Sequence, residues 1–206
     1  ASRAVAVQGD VARSEDRQRL IAAVVDEFGS LDLLVNNAGI TSSGRPDLLD
    51  TSEENWDKVF GTNLKGPFFL AQAAAKQMIA QPRSTESPRG YLINISSISA
   101  YAASTNRADY CMAKAALEMM TWLLADRLAE HEIGVFDICP GVIESDMTGP
   151  VREKYDKLIA EGLSPIRRWG TPEDVAAAVL AVVSGAFPFS TGQRIHVDGG
   201  FHIRRL

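Results

Sequence analysis

The sequence predicts an α/β fold: a single domain built on a doubly wound, parallel sheet. Three observations carry that expectation. Short apolar runs alternate with amphipathic stretches of helical length throughout the chain. Two of those runs lead straight into turns of small residues, Asn36-Asn37-Ala38-Gly39 and Pro140-Gly141. The 206 residues, 46% hydrophobic and 23% charged, suit one globular domain with a sizeable core.

Residues 4–7, Ala-Val-Ala-Val, read as a short buried strand. In the helix that follows, Ser14 is the expected cap, and Glu15 and Asp16 lie in the first turn. Its apolar residues Leu20, Ile21, Val24, Val25 and Phe28 recur at helical spacing, and Gly29 can close it. Residues 31–35 form the next strand. Thr51 and Glu54 have capping-box spacing. The helix they open buries Trp56, Val59, Phe60 and Leu64, is interrupted at Gly61 and Pro67, and continues apolar to Met78. Asn63 falls at that interruption, where unpaired backbone groups can hold a side chain or a water. Residues 81–90, rich in Pro, Ser and charge, form a surface loop.

Residues 91–95 form a buried strand, and Ser97 leaves its carboxyl end, where ligands bind in an open α/β sheet. A helix from Ala108 to about Glu130 carries Tyr110 and Lys114, four residues apart and so on one face. A hydroxyl, a phenol and an ammonium can therefore meet. Such a trio suits proton transfer at a carbinol oxygen. A tyrosine titrates near ~10, too high for acid–base work at neutral pH, and a lysine beside it is expected to lower that value. A serine hydroxyl can fix a carbonyl oxygen. By itself, Tyr-x-x-x-Lys reads first as two residues on a solvated helix face.

Residues 135–139 form a further strand. Between it and the next helix, residues 146–170 hold a weakly amphipathic helix at 151–160, flanked by Met147, Leu163 and Trp169. This stretch is a candidate lid, with plain packing an equal reading. Thr171 caps a helix whose first position is Pro172. Residues 193–197 are the last strand. Residues 201–206 form a short tail suited to packing against a partner subunit.

The trio does not stand alone. Asn37-Ala38-Gly39, Asn63 within Thr62-Asn63-Leu64-Lys65-Gly66, Ser97 thirteen residues before Tyr110, Lys114 and Pro140-Gly141 occur in that order. In this the chain resembles the short-chain dehydrogenase/reductase family over nearly its whole length, and most resembles the 3-oxoacyl-[acyl-carrier-protein] reductases. The resemblance implies a Rossmann-type domain over residues 1–206 and a nicotinamide cofactor, NADP or NAD, with a lean toward NADP. It implies that Asp10 and Val11 flank the adenine. Asn37, Ala38 and Gly39 follow the adenosine ribose and phosphates, and Ile95, Pro140, Gly141, Ile143 and Ser145 border the nicotinamide.

The resemblance further implies that Lys114 binds the ribose hydroxyls beside Tyr110, the proton donor, that Ser97 fixes the substrate carbonyl, and that Asn63 holds a water linking Lys114 to solvent. Ser99, Arg107 and Met147 are the expected substrate residues. Arg107, three before Tyr110, suits an anionic substrate or a neighbouring subunit. Arg152, Lys154, Lys157, Arg167 and Arg168 could form a docking patch for an acidic carrier protein, a solvated charged face being the plainer reading. A homotetramer is implied, and Met119, Met120, Trp122 and Leu123 give the Tyr110 helix surplus apolar surface to suit it. The alternatives are a sugar or polyol dehydrogenase of the same family, or a non-catalytic scaffold member.

Dinucleotide-binding sheets of this kind begin with a strand, a Gly-rich turn and a helix, and no G-x-G-x-x-G run occurs here. Residues 4–7 instead resemble the family's third strand. In the order 3-2-1-4-5-6-7 that strand would stand roughly two strand spacings of ~4.8 Å from the sheet. The expectation is that an N-terminal portion of roughly 30 residues or more precedes this sequence.

Composition narrows the classes further. A net charge of −5 argues against a nucleic-acid binder. No apolar run approaches the ~20 residues of a membrane span, so a cytoplasmic protein is expected. Cys111 and Cys139 offer no metal or redox spacing and read as free buried thiols.

Overall fold

The structure, a computed structural model, describes residues 3–82 and 88–205. Residues 83–87 of the expected 81–90 loop lie outside the described residues, as does Leu206 of the tail. In chain order the elements are α1 (Ser14–Phe28), β1 (Leu33–Asn36), α2 (Glu53–Phe60), α3 (Gly66–Ala80) and β2 (Gly90–Ile95). They continue with α4 (Ala108–Leu128), β3 (Ile133–Pro140), α5 (Arg152–Ala160), α6 (Pro172–Val183) and β4 (Gln193–Val197).

The four strands pair in parallel in the order β1-β2-β3-β4. Parallel neighbours need crossovers, and the helices supply them on both faces of the sheet. Alternation within β2 divides the core. Leu92 joins Leu34, Leu70, Ala74, Met78, Leu128 and Val135 on the face covered by α1, α3 and α4. Ile93 and Ile95 join Phe136, Ile138 and Val182 on the face covered by α6.

Polar residues on the first face are tied to one another. Asn36 Nδ2 donates to Asn94 Oδ1 at 3.0 Å and to the Pro67 carbonyl at 3.2 Å, and Asn94 Nδ2 donates to Thr121 Oγ1 at 2.9 Å. All three are buried, and this satisfied network fixes the carboxyl ends of β1 and β2 against α4.

Residues 4–7 do not form a strand. Among the described residues no strand lies beside the outer edge of β1, so the segment has no ladder to join. The caps also differ from expectation. Ser14 is the first helical residue, behind Arg13. Ser52, not Thr51, caps α2 by accepting from Asn55 N, while Thr51 Oγ1 donates to the Asp47 carbonyl. The box at Thr171 and Asp174 forms as expected. The Tyr110 helix ends at Leu128, two residues early, in a 3₁₀ turn. Cys139 is buried, but Cys111 is only half-buried.

Candidate active site

The carboxyl ends of β1, β2 and β3 open into a cavity of about 770 Å³. Of the residues expected at a site, Asn37, Gly39, Ile95, Ser97, Ser99, Arg107, Tyr110, Lys114, Pro140, Gly141, Ile143, Ser145 and Met147 all line it. The segments bearing them lie far apart in sequence, so the parallel sheet alone brings them together.

Tyr110 and Lys114 project from the first two turns of α4 and are 7% and 5% exposed. Lys114 Nζ donates to the Ile95 carbonyl at 2.8 Å and stands 5.7 Å from the Tyr110 ring centre. Ser97 Oγ accepts from Ser99 N at 3.1 Å, which leaves its hydroxyl proton available to the cavity it lines with Tyr110.

Burial pushes the Tyr110 phenol above its ordinary value. The hydrogen bond from Ser97 and the charge of Arg107, 5.5 Å from the ring centre, pull it partly back. This corrects the expected acidification by Lys114. Burial also pushes the Lys114 ammonium down, to about 8, against the opposing pull of the Asp137 carboxylate. Desolvation outweighs charge pairing at both groups.

Asp109, the residue before Tyr110, anchors the start of α4. The carboxylate is fully buried. It accepts from Ser42 Oγ, from Asn55 Nδ2 at 3.0 Å and from Tyr110 N at 2.7 Å. One side chain thus ties the residues after β1, helix α2 and the Tyr110 backbone together. Asn63 sits in a π-helical turn, Gly61–Lys65, where α2 meets α3. Both ends of its amide are taken by Ile40, Nδ2 donating to the carbonyl and Oδ1 accepting from N, each at 2.8 Å. The expected water would therefore have to use the Asn63 backbone. Pro67, four residues on, has no N–H to give the Asn63 carbonyl.

Two of the residues lining the cavity are glycines in close contact with neighbouring groups. A Cβ at Gly39 would approach Asn63 Oδ1 to 3.3 Å and Lys114 Nζ to 3.5 Å. A Cβ at Gly141 would stand 2.6 Å from Asp198 Cα and 3.1 Å from Asp198 O, which no rotamer can relieve. Gly141→Ala is therefore expected to lose roughly 1–3 kcal/mol through overpacking. A urea midpoint unchanged from the parent would contradict that.

A nicotinamide nucleotide fits these surroundings. They offer a concave site walled by Ile95, Pro140 and Ile143, and a buried ammonium with donors left after Ile95 is served.

Some expected residues fall elsewhere. Asp10, Val11, Ala38 and Asn63 do not line the cavity. The Asp10 carboxylate folds back on Ala12 N at 2.8 Å, and Arg17 holds the Val11 carbonyl at 2.7 Å, which fixes this turn against α1. The expected docking patch is largely neutralised, since Arg152 pairs with Glu144 and Arg168 with Asp174. Lys157 lies 3.9 Å from Glu161. The tail bonds within its own chain, Arg205 donating to the Gly162 and Leu163 carbonyls. Of the candidate lid, Met147, Thr148, Val151 and Tyr155 border the cavity, while Trp169 stacks edge-on with Tyr155 and donates to Asp156.

Sequence reasoning missed Arg45, which lines the cavity, and Asp109. An acid placed directly before Tyr110 was the available signal for the second. A further trio, His196, Asp198 and His202, gathers at the carboxyl end of β4 with ligand atoms within 4.8 Å of one another. The Asp198 carboxylate there accepts from Tyr101 OH, Gly200 N and His202 N.

Among the described residues, no helix is long and apolar enough to cross a membrane. Residues 1–202 match the family model described as Enoyl-(Acyl carrier protein) reductase. The chain is 37% identical over 198 residues to the 3-oxoacyl-[acyl-carrier-protein] reductase FabG of Staphylococcus epidermidis, covering 96% of this chain and 78% of that protein.

Among solved structures it is similar to a 3-oxoacyl-[acyl-carrier protein] reductase from Brucella melitensis in complex with NAD. The TM-score is 0.93 at 42% identity, over 97% of this chain and 78% of that one. A gluconate 5-dehydrogenase from Burkholderia cenocepacia in complex with NADP and tartrate is also similar, with TM-score 0.84 and 31% identity over 94% and 73% of the two chains. Sequence, sheet order and the lining of one cavity agree: the chain belongs to the short-chain dehydrogenase/reductase family.

Proposed function

We propose that this protein interconverts a ketone and a secondary alcohol with NAD or NADP, and that 3-oxoacyl thioesters carried on an acyl carrier protein are its main substrates. The observation that carries the chemistry is that Ser97, a buried Tyr110 and a buried Lys114 line one cavity at the carboxyl edge of the sheet. Likeness to the reductases of Staphylococcus epidermidis and Brucella melitensis supports the substrate class. The neighbours include one NAD and one NADP complex, so both cofactors belong in the first assay.

When bound, the nicotinamide gives or takes a hydride. The side chains manage the proton and the oxygen. Ser97 donates to the carbonyl oxygen and holds it against Tyr110, where negative charge develops. Tyr110 gives its phenolic proton to that oxygen in reduction and removes it in oxidation. Lys114 binds ribose hydroxyls with the donors that Ile95 does not use, and its charge favours the phenolate once the proton has left. The Asn63 carbonyl, which lacks a donor from Pro67, holds the water that returns a proton toward Lys114. The 146–170 segment closes over the substrate through Met147, Val151 and Tyr155. A tetramer buries the exposed Met119, Trp122 and Leu123 of α4.

A sugar-acid or polyol dehydrogenase is the second reading, favoured by the two arginines in the cavity and by the gluconate 5-dehydrogenase neighbour. Purified protein assayed with both cofactors against acetoacetyl thioesters and a sugar panel separates the two. Turnover of sugars alone would remove the thioester reading.

The pKa directions set a pH signature. Reduction needs the phenol protonated and Lys114 charged, so kcat/KM should hold below pH about 8 and fall above it as Lys114 loses its proton. Oxidation needs the phenol's proton gone, and burial holds that phenol above its ordinary value, so any rise in the oxidative rate should lie at higher pH than the reductive fall. Matching slopes in the two directions would contradict these roles.

A further inference from the structure

We propose that Arg107 and Arg45 form an anion clamp that lets this site also turn over free oxo acids and hydroxy acids whose carboxylate lies a few carbons from the reacting carbon. The inference rests on the ketone–alcohol chemistry assigned to Tyr110 and adds a substrate class to it.

Arg107 is half-buried, its guanidinium 5.5 Å from the centre of the Tyr110 ring, and its Nε donates only weakly, at 3.4 Å, to Ser104 Oγ. Arg45 is half-buried and lines the same cavity, NH2 donating to the Met147 carbonyl at 3.3 Å. Neither pairs with a carboxylate among the described residues. The acid that shares the lining, Glu144, is already taken by Arg152. Two guanidinium groups on one cavity without a carboxylate partner can offer a negative ligand charge-assisted hydrogen bonds.

Backbone geometry adds a separate observation. Among the described residues, Arg45 and Glu132 are the non-glycine positions with positive φ, and Arg45 sits at 48° directly after Gly44 at 69°. A left-handed arginine is strained, and such strain gathers at ligand clamps. Distance selects the ligand. A group on Arg107 lies beside the ring that handles the proton, so the charge must be on the substrate's own short skeleton. A phosphate at the far end of a pantetheine arm would lie well beyond it. Planar guanidinium groups match a carboxylate in two parallel hydrogen bonds.

The test compares 3-hydroxybutyrate with its neutral methyl ester in the oxidative direction, for the parent protein, Arg107→Gln and Arg107→Lys. The readout is the ratio of kcat/KM for acid over ester, because any effect of Arg107 on the Tyr110 proton acts on both compounds alike. Loss of a charge-assisted pair should lower that ratio roughly 10- to 100-fold in Arg107→Gln, with partial recovery in Arg107→Lys. Saturation-transfer NMR of 3-hydroxybutyrate on Tyr110→Phe reads the clamp without turnover.

A parent ratio near one, a ratio unmoved by Arg107→Gln, or equal NMR binding of acid and ester would overturn the clamp. Arg107-dependent binding of the acid with no turnover of acid, ester or thioester would leave the clamp standing and remove the ketone–alcohol reading.

Discussion

Tyr110→Phe is expected to lower kcat for ketone reduction by roughly 10²- to 10⁴-fold, the range attributed to one positioned acid–base group. The loss should be in turnover, with KM and the urea midpoint close to the parent. The ring stays in its packing with Val59 and Ala113, and only a hydroxyl held by Ser97 is removed. Ser97 keeps its bond from Ser99 N, so no new buried donor is orphaned in the backbone. The split between kcat and KM matters, because a collapsed cavity would raise KM as well. A variant retaining more than a tenth of parental kcat would show that the proton comes from elsewhere.

Arg194→Met should produce the largest change in stability. Asp137 lies in the middle of β3 with its side chain 1% exposed, and among the described residues it pairs with Arg194, Nε to Oδ2 at 2.7 Å. Arg194 also reaches Glu118 at 3.2 Å from β4 to α4. Removing the guanidinium leaves a buried carboxylate with nothing to offset its lost hydration, at a cost of roughly 3–5 kcal/mol. That is a large share of the 5–15 kcal/mol typical of a domain. Replacing both partners, as Arg194→Met with Asp137→Leu, should recover most of it, since an apolar pair carries no desolvation penalty. Urea unfolding of the single and double variants measures both numbers. A single-variant loss below about 1 kcal/mol, or a double variant no better than the single, would contradict the burial argument. The same pair bears on the site, because the Asp137 charge holds the Lys114 ammonium up against burial.

Much of the site was legible in the sequence because its parts are local. Tyr110 and Lys114 share a helix face by spacing alone, and Ser97 leaves a strand that could be recognised from five apolar-rich residues. Pro140-Gly141 and Asn37 to Gly39 likewise follow strands, and a parallel sheet aligns all such ends. What escaped depends on distance through space. Arg45 sits in a connection with no periodicity, and only folding brings it to the cavity that Arg107 lines. The Arg152 and Arg168 patch looked basic until Glu144 and Asp174, eight and six residues away, closed on it.

Residues 4–7 have strand-forming composition, but a strand exists only where a neighbour accepts its hydrogen bonds. The Tyr110 phenol was expected to be acidified by its lysine, yet burial of both groups dominates, and burial is a property of the packed core. Asn63 was placed correctly at the helix interruption, but its amide serves Ile40, which no one-dimensional pattern reveals.

The most direct measurement follows the hydride itself. Acetoacetyl thioester is incubated with the protein and a nicotinamide carrying deuterium at its transferable position, and the product is weighed by mass spectrometry. Deuterium on the new carbinol carbon from the parent protein, and at least about a hundredfold less labelled alcohol in the same time from Tyr110→Phe, is the expected result. Unlabelled alcohol, or equal labelling by both proteins, would contradict a ketone reduced over the Ser97–Tyr110–Lys114 triad.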